Sequence, residues 1–279
     1  MLSKSSLAIV SVLTTTVLAQ SYPSGISDSC LAYYKAFDED STLKSCTTAF
    51  ASATSTTNGT TPTKDSITST LTSICSPSSA ANQCSDALIR TQLNSFTSAC
   101  SAELTANNKE VVAFYDNIYL FSPLKTSLCA KDDGGNFCAL SASQNVAANQ
   151  TLLEQIQKAT NPDLSVYTAA QAPFLFLTPE LPDTTLCKAC TRNVITAYTK
   201  FASDSPYANG ADQSQLLTNM KALYDGVVKT CGPNFLSSTV QAAGGLGTGS
   251  GSGSNAGFKM AGVDLVAMVL GVVAVVVSM

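Results

Sequence analysis

The stretch CSDALIRTQLNSFTSAC, residues 84–100, decides the fold in two ways. Cys84, Leu88, Leu93, Phe96 and Cys100, continued by Leu104, recur at helical steps and predict an amphipathic helix. Its bounding cysteines also begin a spacing that the chain has already used once. From Cys84 the intervals to Cys100, Cys129 and Cys138 are 16, 29 and 9 positions. From Cys30 the intervals to Cys46, Cys75 and Cys84 are again 16, 29 and 9. The flanks agree too, with Ser73-Ile74-Cys75 set against Ser127-Leu128-Cys129, and Asn82-Gln83-Cys84 against Asn136-Phe137-Cys138. Repeats of this length indicate stacked supersecondary units.

Extended along the chain, the rule accounts for all ten cysteines as the bounds of four modules. These are Cys30–Cys75, Cys84–Cys129, Cys138–Cys187 and Cys190–Cys231, with Cys46 and Cys100 as extra members of the first two. Helical steps recur inside them. Leu186, Cys190, Val194, Tyr198 and Phe201 form one stripe, after Asp183 as its N-cap. The clearest runs through Leu216, Leu217, Met220, Leu223, Tyr224, Val227, Val228 and Cys231. Leu31, Tyr34 and Phe37, and Leu152, Leu153 and Ile156, give shorter ones. Strand alternation is scarce. Phe174 to Thr178 lies between Pro173 and Pro179 and reads as an extended connector.

The expected fold is therefore all-α: a disulfide-stapled helical bundle of four Cys-bounded helical-hairpin pseudo-repeats. A hairpin brings its ends together, so the expected bonds are Cys30–Cys75, Cys84–Cys129, Cys138–Cys187 and Cys190–Cys231. Cys46–Cys100 would then join the first two modules. Each such loop restricts the unfolded chain by about 4 kcal/mol in the entropy model.

Outward from this region the two ends of the chain carry processing signals. Residues 1–19 read as a cleaved signal peptide, with Lys4 in the n-region, an apolar stretch from Leu7 to Leu18, and small residues Val17 and Ala19 before the cut. Leu265 to Val277 is an apolar run with no Lys or Arg after it. Small residues at Gly253-Ser254-Asn255-Ala256-Gly257 precede it, followed by a short spacer with Lys259 and Asp264. That order is a glycosylphosphatidylinositol (GPI) attachment signal. Asn255 is the expected attachment residue, with Ser254 and Gly253 as alternatives, and 256–279 is the propeptide removed. Residues 241–255, nearly all Gly and Ser from Gly244, form a flexible stalk. The folded ectodomain is expected over 20–240.

An even cysteine count within a secreted segment implies disulfides made in an oxidising compartment. Sequons at Asn58-Gly59-Thr60 and Asn149-Gln150-Thr151 fit the same route. Ala51 to Thr63, rich in Ser and Thr, reads as a polar loop suited to O-linked sugars. Without both signals the chain holds 13 basic and 18 acidic residues, a net charge of −5 with no basic patch. Nucleic-acid binding is disfavoured accordingly.

The chain contains no histidine, which removes the usual general base, the His-dependent triads and imidazole metal ligands. It contains no tryptophan, and Tyr33, Tyr34, Phe114, Tyr115 and Tyr119 stand at core-like spacing. Cys187-Lys188-Ala189-Cys190 has the spacing of a thiol–disulfide exchange site but lacks a preceding strand, so structural disulfides explain it better. Asp38-Glu39-Asp40 begins like a calcium loop, yet Leu43 and Ala49 stand where that loop needs Gly and Glu. Asp132-Asp133-Gly134-Gly135 reads as a turn. No metal or cofactor is called for.

With its end signals, Ser/Thr-rich inserts, Leu128-Cys129 and Leu186-Cys187-x-x-Cys190, the chain resembles fungal GPI-anchored, cysteine-patterned surface glycoproteins of uncharacterised function. The resemblance implies a place on the plasma membrane or cell wall and carries no functional residues. The expected role is a non-catalytic surface or wall glycoprotein, held to the membrane by its lipid and in contact with wall polysaccharide. A helical carrier for an apolar ligand such as a lipid or sterol is the alternative. A carboxylate-dependent wall-modifying enzyme is the third reading.

Overall fold

The computed structural model describes residues 22–54, 64–142, 145, 171–208, 210, 213–214 and 216–236. Asn58, Asn149, Gly253, Ser254 and Asn255, both terminal signals, and the Leu152–Ile156 pattern lie outside these residues. The described part is all-α, without strands. Helix α1 spans Asp28–Glu39, α2 Ser41–Thr54, α3 Lys64–Cys75, α4 Asp86–Ala99, α5 Ser101–Thr105 and α6 Lys109–Cys129. After a gap come α7 (Asp183–Leu186), α8 (Ala189–Asp204) and α9 (Met220–Cys231). Single 3-10 turns stand at Ala80–Asn82, Cys138–Ser141 and Ala172–Phe174.

Side-chain caps set several helix starts by satisfying N–H groups that have no helical partner. Ser27 Oγ accepts from Cys30 at α1, Ser85 Oγ from Leu88 at α4, and Asn108 Oδ1 from Glu110 and Val111 at α6. Serine and threonine inside the helices return their hydroxyls to carbonyls one turn back, as Thr68, Thr72, Thr91, Ser98 and Thr196 do. This back-bonding satisfies the hydroxyls within their own helices.

Helix α6 organises the rest. Every residue from Val111 to Leu124 is buried, as expected of a helix apolar on all sides. It packs against both α4 and α8, and its neighbours join it in one hydrophobic cluster reaching from Cys30 to Leu236. Pro123 sits within it and removes one backbone donor.

The cysteine network corrects the expected connectivity. All ten cysteines are bonded, but as Cys30–Cys100, Cys46–Cys84, Cys75–Cys129, Cys138–Cys190 and Cys187–Cys231. No module closes on itself. For the first two modules the physical reason is helix count: each holds three helices instead of a hairpin, and a three-helix unit does not return the chain to its start. The two repeated units instead bond reciprocally. The first cysteine of each pairs with the second of the other, and their third cysteines pair together. Such exchange is the mark of a two-fold, self-complementary contact, here made within one chain.

Three smaller expectations also change. Helix α2 runs through Ala51 to Thr54, so the start of the Ser/Thr-rich stretch is helical. Asp183 is the first residue of α7 instead of the cap of a long helix, which breaks at Cys187 and Lys188 before α8 begins. Phe174–Thr178 is not extended: left-handed backbone at Gln171 (φ 54°), Leu175 (φ 53°) and Phe176 (φ 60°) folds it into a tight coil. Tyr198 Oη holds the coil by donating to the Pro173 carbonyl at 2.5 Å, and Asn145 Nδ2 donates to the Leu175 carbonyl at 2.9 Å.

Candidate functional site

Of the acidic residues considered for chemistry, Asp38, Asp40 and Asp132 are engaged in folding. Asp40 Oδ1 accepts from the backbone of Thr42 and Leu43 at 2.9 and 3.0 Å, which caps α2. Asp38 Oδ2 accepts from the Tyr22 hydroxyl at 3.0 Å. Asp132 is the hub of the expected turn, accepting from Gly134 N at 2.9 Å and Asn136 N at 2.8 Å. The Asn136 side chain and then its backbone N–H hold the Asp132 carboxyl below its ordinary range.

Cys187 and Cys190 point to different partners, Cys231 and Cys138, across the break between α7 and α8. They are structural, and neither forms a C-x-x-C redox pair. Cys30, Cys100 and Glu103 bring three donor atoms within 4.8 Å of one another. Both sulfurs are joined in a disulfide, and metal binding needs free thiolates. Glu103 Oε1 accepts from Ser27 N at 2.5 Å. Burial pushes the Glu103 carboxyl up, but hydrogen bonds from the Ser27 backbone and hydroxyl outweigh it and hold the group below the usual carboxylate range.

One polar constellation remains in the interior. On α6, Tyr115 and Tyr119 are one turn apart and share a face, with Asp116 beside them. Loop 205–208 lies across that face. The Tyr207 hydroxyl donates to Asp116 Oδ1 at 2.5 Å, Tyr119 Oη donates to the Ser205 carbonyl at 2.8 Å, and Ala208 N donates to Tyr115 Oη at 3.2 Å. The Tyr207 ring stands edge-on to Tyr115 and Tyr119, at 4.8 and 5.1 Å between centroids. Asp116 is fully buried. Burial first, then the Asp116 charge, push the Tyr207 phenol far above its ordinary range. The arrangement holds a phenol proton firmly against a carboxylate in a low-dielectric setting, where such a bond is strong.

The expected core aromatics Tyr33, Tyr34, Phe114, Tyr115 and Tyr119 do join one cluster. Asp116 and Tyr207 were not singled out from sequence. A signal was present, because Asp116 is the single charge in the run from Val111 to Leu124, and a charge in an apolar run needs a partner when buried.

An all-α domain stapled by five disulfides around an aromatic core, with a buried tyrosine–aspartate contact, is the class that these features define. The chain belongs to the DUF7729 family, a domain of unknown function, whose model matches residues 16–240. No curated protein and no solved structure matches the chain.

Proposed function

We propose that the protein is a non-catalytic surface glycoprotein of the fungal plasma membrane or cell wall, displayed on a GPI lipid at Asn255. The observation that carries this reading is the bonding of all ten cysteines, none left for thiol chemistry. Complete pairing belongs to proteins matured in an oxidising compartment. The small-residue site, spacer and apolar tail beyond the ectodomain supply the lipid signal. Asp40, Asp38 and Asp132 are engaged in capping and turn formation, which favours contact or wall organisation over acid–base chemistry.

Phosphatidylinositol-specific phospholipase C applied to intact cells tests the anchor, with release of the protein expected. Replacing Gly253, Ser254 and Asn255 together by leucine should abolish surface display, since attachment requires small residues. The role is tested in a deletion strain under wall stress. Altered wall architecture or adhesion is expected, and normal walls together with normal adhesion would sink the reading.

A further inference from the structure

The Tyr207–Asp116 contact lies at one end of a continuous run of aromatic rings. Tyr22, half-buried at the surface, stands 6.0 Å from Tyr34 between ring centroids. From Tyr34 the steps are 4.5 Å to Phe114, 5.4 Å to Phe96, 5.8 Å to Tyr115 and 4.8 Å to Tyr207. Across such close-packed rings an electron tunnels from one tyrosine to the next, the phenylalanines between them bridging the gap without being oxidised themselves. Phenols are the most easily oxidised members of this run, because the chain has no tryptophan.

A phenol that loses an electron becomes strongly acidic and must pass on its proton. In a buried site the acceptor must already be in place. Tyr34 has no hydrogen-bond partner for its hydroxyl. Tyr119 and Tyr198 donate to backbone carbonyls, which are far too weakly basic to take a proton. Tyr207 donates to a carboxylate at 2.5 Å, and so does Tyr22 at the surface end, to Asp38 at 3.0 Å. A tyrosine–aspartate pair therefore stands at each end of the ring path, one accessible and one sealed.

We propose that Tyr207 is a one-electron redox site, reached through the ring path and served by Asp116 as its proton acceptor. An oxidising radical of the kind released in peroxide chemistry takes one electron at the surface and is itself reduced. The hole moves to Tyr207, whose O–H bond breaks as the proton passes to the Asp116 carboxylate. The products are a neutral tyrosyl radical and a protonated Asp116. A small one-electron donor reverses the step, with Asp116 returning the proton.

Azidyl radicals generated by pulse radiolysis of the secreted protein test it, with transient absorption and electron paramagnetic resonance as readouts. The wild type should give a long-lived neutral tyrosyl radical whose formation slows in deuterium oxide. Tyr207→Phe keeps the ring path and should reduce the long-lived signal several-fold, leaving fast-decaying surface radicals unchanged. Asp116→Asn keeps an acceptor oxygen without its basicity and should do the same. Where that variant fails to fold, as circular dichroism would show, Tyr207→Phe and the isotope effect decide. A wild type without a long-lived radical, or an equal signal in Tyr207→Phe, would overturn the proposal.

Discussion

Cys75 and Cys129 are the last residues of α3 and α6, occupy the same place in the two repeated units, and are bonded to each other. Around them, Cys30–Cys100 and Cys46–Cys84 form a reciprocal pair. Non-reducing peptide mapping should therefore recover Cys75–Cys129 and no peptide joining Cys30 to Cys75. Replacing Cys75 and Cys129 together by serine frees a loop of 54 residues and should lower unfolding stability by about 4 kcal/mol in the entropy model. Urea titration of the variant checks the second part.

Gly226 brings α9 against Pro179. A Cβ there would lie 2.5 Å from Pro179 Cβ and 3.0 Å from its Cα, closer than packed atoms approach. Gly226→Ala gains about 1 kcal/mol of helix propensity, yet forces α9 off the proline. Overpacking of this kind costs about 1–3 kcal/mol. Because the obstructing proline ring and backbone cannot swing aside, a net fall in melting temperature is expected by calorimetry.

Tyr207→Phe should destabilise the fold independently of any redox role. The variant keeps the edge-on ring contacts with Tyr115 and Tyr119 and removes the donor to the buried Asp116 carboxylate. Hydrogen bonds to charged groups contribute about 1.5–3 kcal/mol. Chemical denaturation should show a loss of that size, and hydrogen exchange should show earlier opening of 205–208.

Glu103 gives a pH dependence with a definite sign. Its folded pKa is lowered by the Ser27 hydrogen bonds, so the carboxylate contributes stability above its unfolded pKa, about 4.3. That contribution is lost as pH falls through the folded value, below the ordinary carboxylate range. Glu103→Gln should flatten this part of the acid unfolding curve and leave its shape near neutral pH unchanged.

The amphipathic helices α1, α4, α8 and α9 were legible because one face of each meets solvent, which writes their period into the residues. Helix α6 was not, since a helix buried on all sides has no polar face to mark the turn. The Asp132 turn and the structural nature of Cys187 and Cys190 could be read from local chemistry. Disulfide pairing could not, because it depends on how two three-helix units face each other, and spacing alone says only that they are alike. Pro173 and Pro179 pointed to an extended connector over Phe174–Thr178, and the structure coils it instead. They gave no sign of left-handed backbone at Leu175 and Phe176, which tertiary contacts from Tyr198 and Asn145 impose. The tyrosine–aspartate contact was half visible: Asp116 stands out in its run, but Tyr207, 91 positions away, does not.

The five bonds also determine how the domain would carry a mechanical pull. Tension applied to the chain beyond Cys231 crosses at once to Cys187 and leaves α9 and most of α8 slack. It then follows three residues to Cys190, crosses to Cys138, and runs through the Asp132 turn to Cys129 and across to Cys75. From there the residues to Cys84 lead through Cys46 to α1. Most helices lie off this covalent shortcut. A domain hung from its C-terminal end would bear the load in its short connectors, the start of α2 and α1, while nearly all of α6 stays unloaded.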